Sequence, residues 1–384
     1  MTALLDKHEL DRPEPDVHDG LLVFKPSPAL PAPLESVGVI GWLKQNLFSS
    51  PLNAMLTLAA LALLWKIFPP LISWAILDAN FSLSALPQGA DPGTIERTGA
   101  CWTFIFVKFR VLMTGLYPEQ LLWRPVMAFV IFAAVCAVTA LRLLGVRMIM
   151  GMWLFLPLPL YFLINGGMGL TVVDQSLWGG LMLSTGLAAI GIIMSIPLGI
   201  LLALGRRSEW VVIRSLSIGM IESIRGVPLI TILFMASVML PIFLPREMNI
   251  NNLLRVQIGI ILFSAAYIAE VVRGGLQAIP QGQIEAATSL GLPGWVVTAF
   301  VVLPQALRHV VPSLIGRCVA LFKDTSLVII VGLLDFLGMI KASAQDPDWL
   351  GYDAEAYVFC ALVYWIICFS MSRYGRSIEH RNKW

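Results

Sequence analysis

Apolar runs long enough to cross a bilayer recur along this chain, and they exclude most soluble folds before any motif is read. A hydrocarbon core of about 30 Å needs a helix of roughly 17–25 apolar residues. Eight segments meet that need: Leu52 to Leu77, Pro125 to Leu141, Met148 to Asn165, Gly179 to Leu204, Val212 to Leu244, Gln257 to Val272, Val310 to Leu334 and Ala356 to Met371. The fifth is broken near Gly226-Val227-Pro228, and the seventh reads as irregular. With 58% hydrophobic and 13% charged residues, the chain has about half the charge a soluble surface carries. The expected fold class is an all-α polytopic membrane protein of about eight transmembrane helices. A net charge of +2 gives no reason to expect nucleic acid as a partner.

Lys and Arg near the segment ends set the orientation. Arg142 and Arg147, Arg206 and Arg207, Arg273, and the tail with Arg373, Arg376, Arg381 and Lys383 alternate with basic-poor stretches such as "NGGMGLTVVDQ". Both termini then lie in the cytoplasm. The loop Asp78 to Arg124 falls outside despite Arg97, Lys108, Arg110 and Arg124, and its aromatic "CWTFIFVKF" reads as lying along the membrane surface. The organisation expected is a disordered cytoplasmic tail over 1–46, a three-span extension with a long outer loop over 47–175, and a five-span core over 176–384. The N-terminus, acidic and proline-rich, lacks the basic start and apolar core of a cleaved signal peptide.

Four stretches of the core carry chemistry. "QGQIEAATSLGLPG" reads as a short helix over about 280–292: Pro280 before it, Glu285 in its first turn, Gly291 as left-handed cap, and Pro293 blocking continuation. Helical spacing puts Ile284, Ala287 and Gly291 on one side, with Glu285 and Ser289 turned away. Such small residues suit close approach by another backbone. In "ESIRGVPLI", Gly226 and Pro228 break a helix, which a membrane tolerates only where protein or a water-lined cavity satisfies the backbone. Glu222 and Arg225, three apart, either pair across one turn or face a solute. Glu270 and Arg273 repeat that spacing just before Gly274-Gly275. Lys323, Asp324, Thr325 and Ser326 sit between apolar runs, where ionised groups are costly unless paired or hydrated. They form either a neutralised pair at a helix end or part of a pathway.

These stretches resemble the inner-membrane permeases of bacterial binding-protein-dependent ABC importers of the polar amino acid class. That family's Glu-Ala-Ala-x-x-x-Gly loop and following Leu-Pro match Glu285, Ala286, Ala287, Gly291, Leu303 and Pro304. Its Arg-Gly-x-Pro-Leu matches Arg225, Gly226, Pro228 and Leu229, and its Tyr-x-Ala-Glu-x-x-Arg-Gly-Gly matches Tyr267, Ala269, Glu270, Arg273, Gly274 and Gly275. The closing Lys-Asp-Thr-Ser-Leu is Lys323 to Leu327. Where the family more often has Asn, seven residues before that Lys, this chain has Gly316. The three-span front half is similar to the longer permease of general L-amino acid importers.

The resemblance implies that Glu285, Ala286, Ala287 and Gly291 form a coupling helix seated in a cytoplasmic ATPase, supported by Glu270, Arg273, Gly274, Gly275, Leu303 and Pro304. It implies an ATPase homodimer, a second permease subunit forming a heterodimer, a periplasmic amino-acid-binding protein docking near Asp346 to Glu355, and location in the inner membrane. Glu222, Arg225, Lys323, Asp324, Thr325 and Ser326 are candidates for the translocation pathway. The phosphate-cradling G-x-x-x-x-G-K-[ST] is absent, so ATP and Mg belong to the partner and no enzyme activity is expected here. Four scattered His and no Cys-x-x-Cys give no metal site. The rival readings are a secondary amino acid transporter driven by an ion gradient, with paired broken helices, and a membrane scaffold.

Overall fold

A computed structural model describes residues 17–18, 21–22, 38–81, 99–167, 169–243, 245 and 250–381. The chain forms two compact units, Met1–Leu77 and Asp78–Trp384. In the first, Val17–His18 pairs antiparallel with Leu21–Leu22, and two helices follow, α1 (Gly38–Asn46) and α2 (Pro51–Ile72). Ser50 caps α2 by accepting from the Asn53 N–H at 3.2 Å. Pro69 and Pro70 then force it into a π-turn, Ser73–Leu77. No residue of α2 is buried, as suits a helix solvated by lipid. The expected tail over 1–46 lies largely outside the described residues, and its last nine form α1.

Among the described residues the second unit holds fourteen α-helices: α3 (Thr103–Thr114), α4 (Trp123–Leu141), α5 (Val146–Phe155), α6 (Pro157–Asn165), α7 (Gly180–Arg206), α8 (Val211–Arg225), α9 (Leu229–Phe234), α10 (Leu240–Phe243), α11 (Asn252–Gln277), α12 (Gln281–Ser289), α13 (Gly294–Val296), α14 (Leu303–Asp324), α15 (Phe336–Ala344) and α16 (Asp353–Arg381). Among the described residues six helical segments are long and apolar enough to span, and a seventh if α8 and the helix from Leu229 to Phe243 form one broken span bent by 106°. That break sits where Gly226 and Pro228 put it. The expected seventh span, 310–334, falls on the greater part of α14 and the 3₁₀ stretch after it, Thr325–Val331. It is less apolar than the six because Arg317, Lys323 and Asp324 interrupt it, with Arg308 and His309 just before it on α14.

Helix α7 packs along α11, and α11 along α14. Small residues permit this: a Cβ added at Gly199 would lie 2.6 Å from Ile268 Cγ2, and one at Gly275 2.5 Å from Val310 Cγ1. The N-terminus of α7 is tied to the start of α15. Gly180, at φ +63°, donates from its N–H to Leu334 O at 2.9 Å, and a Cβ there would strike Leu112 O at 2.3 Å. Asp335, fully buried, caps α15 through the Gly338 N–H at 2.9 Å and takes weaker bonds from Ser184 and Tyr364, both 3.4 Å.

The aromatic stretch near residue 104 packs one of its faces on the chain's own core. It forms α3, whose Phe104 and Leu112 are fully buried in one cluster with Phe336, Ile340 and Trp349. Its basic residues are paired: Lys108 with Asp346, Arg110 with Glu119 at 3.1 Å. The Cys101 N–H reaches Glu355 at 3.0 Å, so the 99–124 and 346–355 segments meet at one end of α7.

Candidate functional site: an ion cluster beneath a short outer helix

At the far end of α7, about 40 Å from Gly180 for a helix of 27 residues, the polar residues of three helices converge. Glu270 on α11 stands 3.8 Å from Arg206 on α7, 3.5 Å from Arg225 on α8, and is hydrogen-bonded by Arg273 Nε at 2.9 Å. Arg206 also meets Glu222 at 3.1 Å, and Arg273 reaches Gln277 at 2.7 Å. The sequence spacing of Glu222 and Arg225 suggests a pair across one turn, but the structure sends each to another helix. Helix α8 packs on both α7 and α11, so its last turn meets their charged ends just before the 106° bend. Arg206, counted at first only for orientation, thereby becomes part of the site.

Two guanidiniums also face the Tyr267 ring: Arg317 at 4.3 Å from its centroid and Arg225 at 5.5 Å. Arg317 Nε is buried without a hydrogen-bond partner. Nothing in the motif spacing flags Arg317. The available signal is an arginine inside the interrupted 310–334 segment.

Helix α12 follows this cluster after Pro280. It ends at Ser289, with Leu290 as C-cap, and Gly291 then adopts φ +76° and donates to Thr288 O at 2.9 Å. Glu285 falls in its second turn rather than its first. Ala287 is 4% exposed, in one cluster with Val297, Val302 and Ala306, and Ile284 packs beside it. Ala287 therefore seats α12 on the chain's own body and is not open to a partner, because its face of the helix points inward. Glu285, Ala286 and Ser289 face outward. Gln305 donates to Gln283 Oε1 at 3.3 Å, tying α12 to the start of α14, where Leu303 joins the same cluster and Pro304 opens the helix. Of the paired glycines, Gly275 is pressed against Val310 and Ala306, while Gly274 has open space.

Lys323 and Asp324 are not partners. Lys323 is exposed and lines an open cavity of about 740 Å³ with Ser326, Tyr364, Trp365 and Arg376, between α14 and α16. Asp324 is half-buried and feels Arg317 instead. Thr325 is fully buried and donates to Phe322 O at 2.8 Å, and Ser326 donates to Lys323 O at 2.8 Å. Glu222 and Arg225 thus belong to the ion cluster, whereas Lys323 and Ser326 belong to the α16 cavity.

The described residues thus form an all-α bundle with several helices long and apolar enough to cross a membrane, and a short helix set beside a part-buried ion cluster. Residues 195–384 match the family model "Binding-protein-dependent transport system inner membrane component". The chain is 46% identical over 357 residues, 92% of this chain and 96% of the relative, to the inner membrane amino-acid ABC transporter permease protein YhdY of Escherichia coli (strain K12). It is 37% identical, over 92% and 96%, to the glutamate/glutamine/aspartate/asparagine transport system permease protein BztC of Rhodobacter capsulatus. A solved amino acid ABC transporter chain is 27% identical over 53% of this chain and 92% of that one, with a TM-score of 0.48. The chain belongs to the family of binding-protein-dependent ABC importer permeases. It is a transporter subunit, and the ion-gradient and scaffold readings fall with that membership.

Proposed function

We propose that this chain carries amino acids inward across the bacterial inner membrane and that α12 is its coupling helix. In this reading Glu285, Ala286 and Gly291 meet an ATPase homodimer that binds ATP and Mg. A second permease subunit completes a pseudo-two-fold pathway, both termini are cytoplasmic, and a periplasmic binding protein delivers substrate near Asp346 to Glu355. Lys323, Ser326, Arg225 and Glu222 contribute charge and hydroxyls along the route. The observation that carries the reading is the two-sided character of α12: Ile284 and Ala287 inward, Glu285 and Ala286 outward, at the end of α7 opposite the 346–355 segment. An outward face of small residues and one carboxylate suits a groove with a basic group. The fused position of α12, between the Glu270 cluster and α14, lets a pull on it tilt α7, α8, α11 and α14 together, a two-state element biased from outside.

A photo-cross-linking amino acid at Ala286 tests this in cells that hold the whole transporter. The expected product is an adduct with the ATPase, and none forms when the probe replaces exposed Leu350 at the opposite end. An ATPase adduct from Leu350 and none from Ala286 would reverse the topology.

A further inference from the structure

Between the extension and the core lies a second cavity, of about 400 Å³, in the size range of small-molecule sites. Phe132 of α4, Leu160 of α6, Gly186 and Ile193 of α7, and Gln257 of α11 line it. Two polar atoms in its wall are buried and unmet: the Gln257 carbonyl oxygen and the Trp178 indole N–H. Gln257 is 6% exposed, and its amide nitrogen is already used, donating to Leu187 O at 3.4 Å. Leaving such groups unsatisfied costs about 1–3 kcal/mol each, so a ligand with both a donor and an acceptor would relieve them.

The cavity is graded from polar to apolar. At its mouth Asn251 is hydrogen-bonded to Gln175, and Gln175 donates to the Tyr161 hydroxyl at 3.1 Å. From there α7 carries the wall from Met182 to Ile193, about 16 Å at 1.5 Å per residue. A single leaflet's hydrocarbon is about 15 Å deep. Gly186 keeps the passage open, since a Cβ added there meets nothing within 4 Å. Water could meet these polar atoms one by one, but it would not fill the apolar length of the wall.

We propose that this cavity binds one membrane phospholipid. An acyl chain runs past Gly186 toward Ile193, a headgroup hydroxyl or ammonium donates to Gln257 Oε1, and an ester or phosphate oxygen accepts from Trp178 Nε1. The lipid fills the seam between α4 and α6 on one side and α7 and α11 on the other, and so joins the extension to the core. The site is separate from α12 and from the ion cluster, and it stands whatever solute the chain carries.

Native mass spectrometry of the full transporter released from nanodiscs tests this. Three lipids are compared: phosphatidylethanolamine and phosphatidylglycerol, whose headgroups carry a donor, and phosphatidylcholine, whose headgroup has none. The expected result is one retained lipid per copy of this chain from the first two, and about tenfold less from phosphatidylcholine, the effect of one lost hydrogen bond. Gly186→Leu, which fills open space, should abolish retention, and Gln257→Leu should reduce the first two lipids to the phosphatidylcholine level. Equal retention in wild type and Gly186→Leu would overturn the site. Equal retention of all three lipids by the wild type would overturn the role of Gln257, and a photo-adduct from position 186 to another subunit would replace the lipid with protein.

Discussion

Replacing Glu270 with Gln removes the one carboxylate within 4.0 Å of three guanidiniums while preserving shape. Arg206 keeps Glu222, but Arg225 and Arg273 lose their only carboxylate among the described residues. The side chains concerned are 25–36% exposed, between a surface pair and a buried one. Surface pairs are worth about 0.2–1 kcal/mol, and breaking a buried pair costs about 3–5. The cluster therefore loses about 2 kcal/mol, or about 2–3 °C in thermal midpoint for a chain of 384 residues. Glu222→Gln is the control: that side chain is 58% exposed and has one partner, so about 0.5 kcal/mol is lost. Thermal aggregation of the purified complex, followed by size-exclusion chromatography, reads both shifts. Adding Arg225→Gln to Glu270→Gln should recover part of the loss, because an uncompensated charge goes with it. Equal shifts for Glu222→Gln and Glu270→Gln would refute the hub, as would a double variant less stable than Glu270→Gln alone.

Three further outcomes follow from the packing and the charges. Gly275→Ala should destabilise the complex by about 1–3 kcal/mol, because its Cβ meets Ala306 O at 2.8 Å, whereas Gly274→Ala should be near neutral; melting of both variants checks this. The Asp346 carboxyl is held below its ordinary range, first by the Lys108 hydrogen bond and then by the Asp348 N–H. A depressed folded value adds stability above the unfolded pKa, lost as pH falls through the folded one. Asp346→Asn should thus lower stability by up to about 1 kcal/mol at pH 7 and by progressively less below about pH 4, as acid titration of both proteins would show.

Local chemistry was legible where it needed no distant partner. Pro280 and Gly291 bound α12, Gly226 and Pro228 break the fifth apolar segment, and Glu270 meets Arg273 one turn away. What depended on another helix was not. Glu222 and Arg225 each have a partner at helical spacing, yet the packing of α8 on α7 and α11 hands them to Arg206 and Glu270. The same limit hid Ala287: its smallness is visible in the sequence, but only the packing of Val297 and Val302 shows that it faces inward. Asp335 belongs to none of the motifs, although burial beside Ser184 makes it the cap of α15. In α3 the buried Phe104 and the exposed Phe106 and Phe109 look alike in sequence, so its inward face was not legible.

The central claim, that α12 transmits the ATPase stroke, is tested most directly by ATP hydrolysis in proteoliposomes holding the complete transporter. Wild type is compared with Glu285→Lys and Gly291→Asp, with and without liganded binding protein, and assembly is measured separately. The account predicts stimulation by the liganded binding protein in the wild type and its loss in both variants, with the subunits still assembled. Full stimulation in both variants would show that coupling runs through some other part of the chain.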